Sequence, residues 1–371
     1  MTSYPLLPGI DHSSRFDPAG HISDQVLTAG LAPVPPKQTD AELETLVERI
    51  CESYIAAKRD QQGLSSEWMP EGEWSNHPIH DAAFRNALQT RSIEEAALTL
   101  RDFWRNSLAL IVKEYASFEA LSDPDSPMRQ RFAHNIVRNW LITRELTGTD
   151  VEELATAPVG NPWGYEINGT VISPKACRYH LMSRDLRGMV GGLNAPLVGE
   201  IGGGYGGLTV DFMTRVPHAA WINYDLPETL AIYSYFVAGA LSADRVVMYG
   251  ETATPTDRGN IAPGTVAAMP NFAIRDLGPR SLDAVVNMFS LSEVGAKPLA
   301  AYVERIQTVA DGWFVHHNMD RASVINRGHE RIPASRFGIN PDTLPLIATG
   351  FDPFHGLHGD YRWYIHRRGQ R

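Results

Sequence analysis

Cysteine is nearly absent from these 371 residues: Cys51 and Cys177 are the two present. Two thiols cannot staple a framework, so the chain is expected to fold on its own core in a reducing compartment, the cytoplasm. Long apolar runs are missing too. The absence of any stretch of about 20 apolar residues excludes a helical membrane span. The start, "MTSYPLLPGIDHSSRFDPAG", has neither the basic beginning nor the apolar centre of a signal peptide. Basic residues are outnumbered, 33 Lys+Arg against 43 Asp+Glu, for a net charge of −10. With no Lys/Arg run, nothing electrostatic points to nucleic acid or an anionic membrane. Internal repeats are lacking, and strand signals are scarce before residue 190. What is plentiful is apolar side chain, 43% of the chain, enough for the cores of about two domains at this length.

The N-terminal half reads as helical. Residues 1–38 are rich in Pro, Gly and Ser and form an irregular arm. Thr39-x-x-Glu42 is a capping-box pattern, and Leu43, Leu46, Val47, Ile50 and Tyr54 follow at helical spacing. Ser92-x-x-Glu95 predicts a second box and one long helix to about Leu121, with Phe103, Leu110, Tyr115 and Phe118 as core. Residues 127–147 read as a helix ended by Gly148. Segment 173–190 reads as another, with Ser173 as N-cap and Pro174 first inside. "YEINGTVIS" suggests a short ribbon. Most of the tryptophans read as packing, but Trp163, in the turn "GNPWGYE", is a pocket or lid candidate.

From residue 195 the pattern alternates. "APLVGEI", "HAAWINYD", "DRVVMYG", "SLDAVVNMFS" and "DGWFVHHN" read as strands, with helices between several of them, and "PLIATGF" and "YRWYIHRR" as a closing antiparallel pair. Strand and helix at this spacing imply an α/β fold, a mostly parallel seven-stranded sheet with an antiparallel edge, whose ligands sit at the C-terminal strand ends. The expected organisation is an arm (1–38), a helical cap, substrate or dimerisation domain (39–172) and a cofactor domain (173–371).

After the first of these strands comes "GEIGGGYGGLTVDF", with five glycines between 202 and 207. Gly202-x-Gly204-x-x-Gly207 lets a backbone turn tightly and approach a ligand closely. Two cofactor classes use such a loop, nicotinamide dinucleotides and S-adenosylmethionine. Glu200, two residues before Gly202, would repel a pyrophosphate, and only one such loop occurs. Both facts favour S-adenosylmethionine. Asp225 lies 23 residues beyond Gly202, where an acidic side chain accepts from ribose hydroxyls in either class; it can also cap the helix that opens at Pro227.

Taken together, "EIGGGYGG", "NYDLPETL", "NMFSLSEV" and "WFVHHN" resemble the class I S-adenosylmethionine-dependent methyltransferases, and within them the sugar O-methyltransferases of bacterial natural-product biosynthesis. Val294 stands where that family usually has Met. The resemblance covers roughly residues 160–320. It implies a Rossmann-like fold, S-adenosyl-L-methionine as cofactor, and methyl transfer to a hydroxyl of a small polar acceptor, a deoxysugar or glycosylated intermediate, in a homodimer. It places Glu200, Gly202, Gly203 and Gly204 at the methionine end, Asp225 and Leu226 at the ribose, Asn271 of "MPNF" at the adenine, and Ser290 and Leu291 beside the methyl group. Trp163, Asn318 and His355 are its acceptor-side candidates. An N- or C-methyl acceptor, a nicotinamide-dependent oxidoreductase and a non-catalytic scaffold are the competing readings.

A hydroxyl needs a base. His316, His317 and Glu293 are the candidates, and only one of the adjacent histidines can face a pocket from a regular strand. His355-x-x-His358 with His329 and Asp320 matches no usual zinc or iron spacing, so no metal is expected.

Overall fold

The computed structural model describes residues 30–35, 38–76, 81–111, 118–123, 126–255, 258–324, 330–354 and 360–369. The expected arm therefore lies largely outside the described residues, as do Tyr115 and His355. The N-terminal half contributes α1 (Asp40–Gln61), α2 (Ala82–Thr90), α3 (Ile93–Arg101), α4 (Phe118–Ser122) and α5 (Pro127–Thr147). A hairpin of β1 (Tyr165–Ile167) and β2 (Thr170–Ile172) and then α6 (Ala176–Val190) lead into the sheet.

The Thr39 box is made: its hydroxyl accepts from the Glu42 amide while Glu42 reaches back to the Thr39 amide. The second box is not. Ser92 makes no capping bond, and the helix it precedes stops at Arg101. The cause is tertiary. Phe103 and Trp104 turn into the core, the Trp104 amide donates to Gly160 O, and Asp102 accepts from Asn161 at 2.6 Å. Arg105 then donates to the carbonyls of Leu31, Ala32, Asn161 and Pro162, so the chain leaves its helical path to bind the neighbouring segment. At α6 the start is later than the sequence suggests: Lys175, not Ser173, is the N-cap residue. Trp163, expected at a pocket, is instead wholly buried; its indole N–H donates to Trp104 O at 2.7 Å and its ring meets Phe132 and Trp104.

The main sheet holds eight strands, not seven, in the order β11-β12-β8-β7-β3-β4-β6-β5. These are β3 (Leu197–Ile201), β4 (Ala220–Asp225), β5 (Val246–Met248), β6 (Val266–Pro270), β7 (Leu282–Met288), β8 (Ala310–Met319), β11 (Leu346–Phe351) and β12 (Tyr361–Arg367). A two-stranded ribbon, β9 (Ser323–Val324) with β10 (Glu330–Arg331), stands apart. The additional strand is β6, an alanine-rich run inserted between β4 and the edge strand β5. Six strands are parallel, and β12 and β11 close one edge antiparallel. The chain runs outward from β3 on one side and returns to β7 on the other, which opens a crevice at the C-terminal ends of β3, β4 and β7.

The helix after β3 is α7 (Gly207–Arg215), that after β4 is α8 (Pro227–Ala240), and α9 (Ala296–Val309) links β7 to β8. Helix α8 is apolar on nearly every side, so it must be covered all round. Helix α1 lies on it, and one core cluster contains Leu43, Ile50, Tyr233 and Val286 together. The cover includes one charged contact: Glu228, 1% exposed, is 3.1 Å from Lys58 Nζ and 3.4 Å from the Tyr54 hydroxyl. Lys58→Met leaves that carboxylate short of its cation and should lower unfolding free energy by about 1–3 kcal/mol in urea titration. Adding Glu228→Gln should recover most of the loss; a double variant no better than the single would refute a role for the pair.

Candidate functional site

The turn after β3 satisfies itself. Gly202 (φ 73°) and Gly204 (φ 59°) occupy the left-handed region that glycine enters without strain. The amide of Gly202 donates to Tyr224 O, that of Gly203 to Asn223 Oδ1, that of Gly204 to Asp225 Oδ2, and that of Gly206 to Gly203 O. Four amides of the loop are thus bound by the loop and by β4. A Cβ on Gly203 would lie 2.6 Å from both Asn223 Oδ1 and Glu200 Oε2, so the loop rests directly on these two side chains.

Glu200 is beneath the loop rather than in the crevice. It is 2% exposed, and its Oε2 accepts from the Thr209 hydroxyl at 2.9 Å and the Trp221 indole at 3.1 Å. Burial pushes its carboxyl up to about 8, against the pull of those two donors. Asp225 is pushed up to about 7, again by burial, while the amides of Leu226 and Gly204 favour its charge.

A cleft opens at the strand ends. Ile201, Gly202 and Gly204 form its floor; Tyr224, Asp225, Leu226 and Thr229 form one wall. Ser290, Leu291 and Val294, following β7, form the other, with Pro298 and Tyr302 of α9. The cover is a strap from the N-terminal half, residues 62–76, which contributes Glu67, Met69, Pro70, Glu71 and Trp74. The sequence offered no signal for this, since nothing in "QGLSSEWMPEGEWSN" specifies what it will lie across.

Asn271, just after β6, joins strap and sheet. Its amide nitrogen donates to Trp68 O and to the Tyr302 hydroxyl, each at 3.1 Å. A carbonyl can only accept, so Trp68 fixes which way the amide points. Asn271 Oδ1 is left buried at the cleft wall with no hydrogen-bond partner among the described residues. A ring edge packs Trp68 on Tyr302 at 5.5 Å, and Lys297 ties Glu67 (3.0 Å) and Ser66 (2.6 Å) to α9.

The base candidates separate onto different sides of the sheet. None of His316, His317 and Glu293 lines the cleft. The His316 ring is stacked on Tyr364 at 4.9 Å and lies among Phe314, Phe337 and His366. Burial holds it well below the usual histidine range, helped by His366 and His317. Alternation along β8 sends His317 to the opposite face, as expected for neighbours on a strand. There its Nε2 is 3.5 Å from Asp352 Oδ2, which also meets buried Arg178 at 3.2 Å. Phe289, at the end of β7, takes a left-handed φ of 59° and lays its ring 4.6 Å from His317 and beneath Arg178. Arg178 and Asp352 were not singled out by sequence, because their pairing spans 174 residues. Glu293 faces Arg331, with Nη2 3.3 Å from Oε1. Asn318 is structural: it donates to Asn287 Oδ1 at 2.7 Å and accepts from the Ser292 amide, while Asn287 holds Ser290 Oγ at 2.5 Å. Of the other groups considered as ligands, Asp320 accepts from Tyr364 and the Ser335 amide, and no group of three or more metal-ligating side chains occurs among the described residues. No helix among them is long and apolar enough to cross a membrane.

No protein family matches the chain, and no curated protein does. Similar solved structures include magnesium protoporphyrin IX methyltransferase from Synechocystis with S-adenosylhomocysteine, at 12% identity and TM-score 0.37 over 52% of this chain and 84% of that one. Another is 1,6-didemethyltoxoflavin N1-methyltransferase from Burkholderia thailandensis, at 13% identity and TM-score 0.35 over 52% of this chain and 78% of that one. A third is geranyl diphosphate C-methyltransferase from Streptomyces coelicolor, at 12% identity and TM-score 0.37 over 52% of this chain and 79% of that one.

A pH dependence follows from Glu200. Its carboxyl, ordinarily near 4.5, is held up at about 8 in the fold, so the native state keeps a proton that the unfolded chain releases. Stability should therefore fall as pH rises from about 4.5 through 8, by a few kcal/mol. Glu200→Gln, always neutral, should reduce that slope in urea titrations at acid and alkaline pH, leaving the part that the raised Asp225 carboxyl contributes up to about 7. An unchanged slope would remove Glu200 as its source.

Proposed function

We propose that the chain is a class I S-adenosylmethionine-dependent methyltransferase. One observation carries the reading: the glycine loop spends its amides on itself and on β4, while the cleft around it is lined by Glu67, Glu71 and Asp225 and by no lysine, arginine or histidine among the described residues. A dinucleotide needs free amides or a cation for its pyrophosphate. Among the described residues this cleft has no cation, and the amides of Gly202, Gly203, Gly204 and Gly206 are already taken, which argues against the oxidoreductase reading. The cleft suits a phosphate-free adenosine ligand bearing positive charge. Asn271 Oδ1 supplies an acceptor for an exocyclic adenine amine, Asp225 accepts from ribose hydroxyls, and Gly202 and Gly204 leave room for the amino-acid end.

When bound, the cofactor supplies an electrophilic methyl group. The chain's part is alignment, exclusion of water by the strap, and uptake of the acceptor's proton. We assign that proton to His317 Nδ1, with Asp352 facing Nε2 to orient the ring and Arg178 setting the local charge. His316 is too deeply stacked to serve. The acceptor class, a hydroxyl of a deoxysugar or similar polar small molecule, rests on the likeness of the four sequence stretches and on this buried polar cluster beside the β7 and β8 ends.

Calorimetric titration with S-adenosylhomocysteine should give micromolar binding, with NAD giving none. Asp225→Ala and Asn271→Ala should each weaken it about tenfold or more, the loss expected when a buried polar contact to a ligand is removed. Binding of NAD, or of neither ligand, would overturn the reading.

A further inference from the structure

The cleft's three carboxylates are not equivalent. Glu67 is held by Lys297 at 3.0 Å and by the Ser65 hydroxyl at 2.6 Å. Asp225 is occupied by the amides of Gly204 and Leu226. Glu71 has neither a hydrogen bond nor an ion pair among the described residues, and it is half-buried in the cleft wall. Its position is fixed by close backbone packing. A Cβ on Gly295 would lie 2.5 Å from the Glu71 carboxyl carbon, and one on Gly72 only 2.3 Å from Glu293 O. The two glycines let the strap press its carboxylate onto Gly295, in the turn after β7 that follows Ser290 and Val294; the side chains of Glu71, Ser290 and Val294 line the same cleft, whose Ser290 side is assigned above to the reacting methyl group.

Methyl transfer changes the cofactor's charge. The carbon–sulfur bond of the sulfonium breaks, its electron pair stays on sulfur, and a neutral thioether remains. A carboxylate with no other partner at that end of a cleft without basic side chains interacts with the two forms differently. We propose that Glu71 is a specificity-determining residue that makes this chain hold S-adenosylmethionine more tightly than S-adenosylhomocysteine, so that loss of the methyl group itself weakens retention of the spent cofactor. This rests on the cofactor reading above. The attraction acts over a partly solvated gap, so it should amount to about a tenfold difference rather than the value for a dry pair.

The test is calorimetric titration of the full chain with S-adenosylmethionine, S-adenosylhomocysteine and sinefungin, whose amine keeps a positive charge in place of the sulfonium. The native chain should bind both cations about tenfold tighter than the thioether. Glu71→Gln should abolish that preference while leaving S-adenosylhomocysteine binding unchanged. Because a strap variant could perturb packing, the native chain is also titrated at about 0.05 M and 0.5 M salt, where the preference should shrink and binding of the neutral thioether should not. Equal or tighter binding of the thioether by the native chain overturns the proposal. So does a Glu71→Gln variant that weakens all three alike. Binding of none of the three overturns the cofactor reading instead, and the proposal with it.

Discussion

The constraint on which the site depends is that the turn after β3 must satisfy its own backbone. Gly202 and Gly204 enter left-handed conformations, and their amides find acceptors on the neighbouring strand, Tyr224 O and Asp225 Oδ2. The Asn223 side chain, on the same face of β4 as that of Asp225, does the same for Gly203. The loop is therefore ordered before any ligand arrives. Its chemistry is altered by the same bonds, because amides bound to carboxyl and carbonyl oxygens cannot cradle an anion. The G-x-G-x-x-G spacing is silent on this point. Which oxygen sits beneath each amide decides what the loop can hold, and here Asn223, Tyr224 and Asp225 supply those oxygens.

Much of this was legible in sequence where one local rule decided the outcome. The Thr39 box, the Gly148 terminus and the strands β3, β4, β5, β7 and β8 follow from side-chain periodicity and capping, both short-range. The failures have a common cause. Helix α3 ends at Arg101 because the partners of Asp102, Trp104 and Arg105 lie more than 50 residues away in the Gly160 turn. The strand β6 was hidden because alanine-rich "VAAM" carries little strand preference; it is buried between two other strands, which supply the pairing that its own residues do not signal. Trp163 sits in a glycine- and proline-flanked turn, as a lid residue would, yet that turn folds inward onto Trp104.

Gly202, Asp225, Asn271 and Ser290 share one cleft because each ends or follows a parallel strand, whereas Glu200 and Gly203 do not line it. The acceptor side was less legible. Adjacent histidines look alike in sequence, but strand alternation sends His316 into an aromatic stack and His317 toward Asp352. Glu71 and Trp74 could not have been found from the cofactor half at all, because the strap carrying them belongs to a different part of the chain.

That separation has a consequence for how the protein is made. The strap leaves the ribosome more than two hundred residues before Gly295, the glycine against which Glu71 packs. Domains tend to fold as units, N-terminal ones first, during synthesis, yet the helices ahead of residue 173 complete no binding cleft by themselves. A nascent chain shorter than about Tyr302 has the strap but not the helix that pins it. The cleft thus closes late in translation and nearly all at once, when the turn after β7 and the first turns of α9 slide beneath a cover made long before.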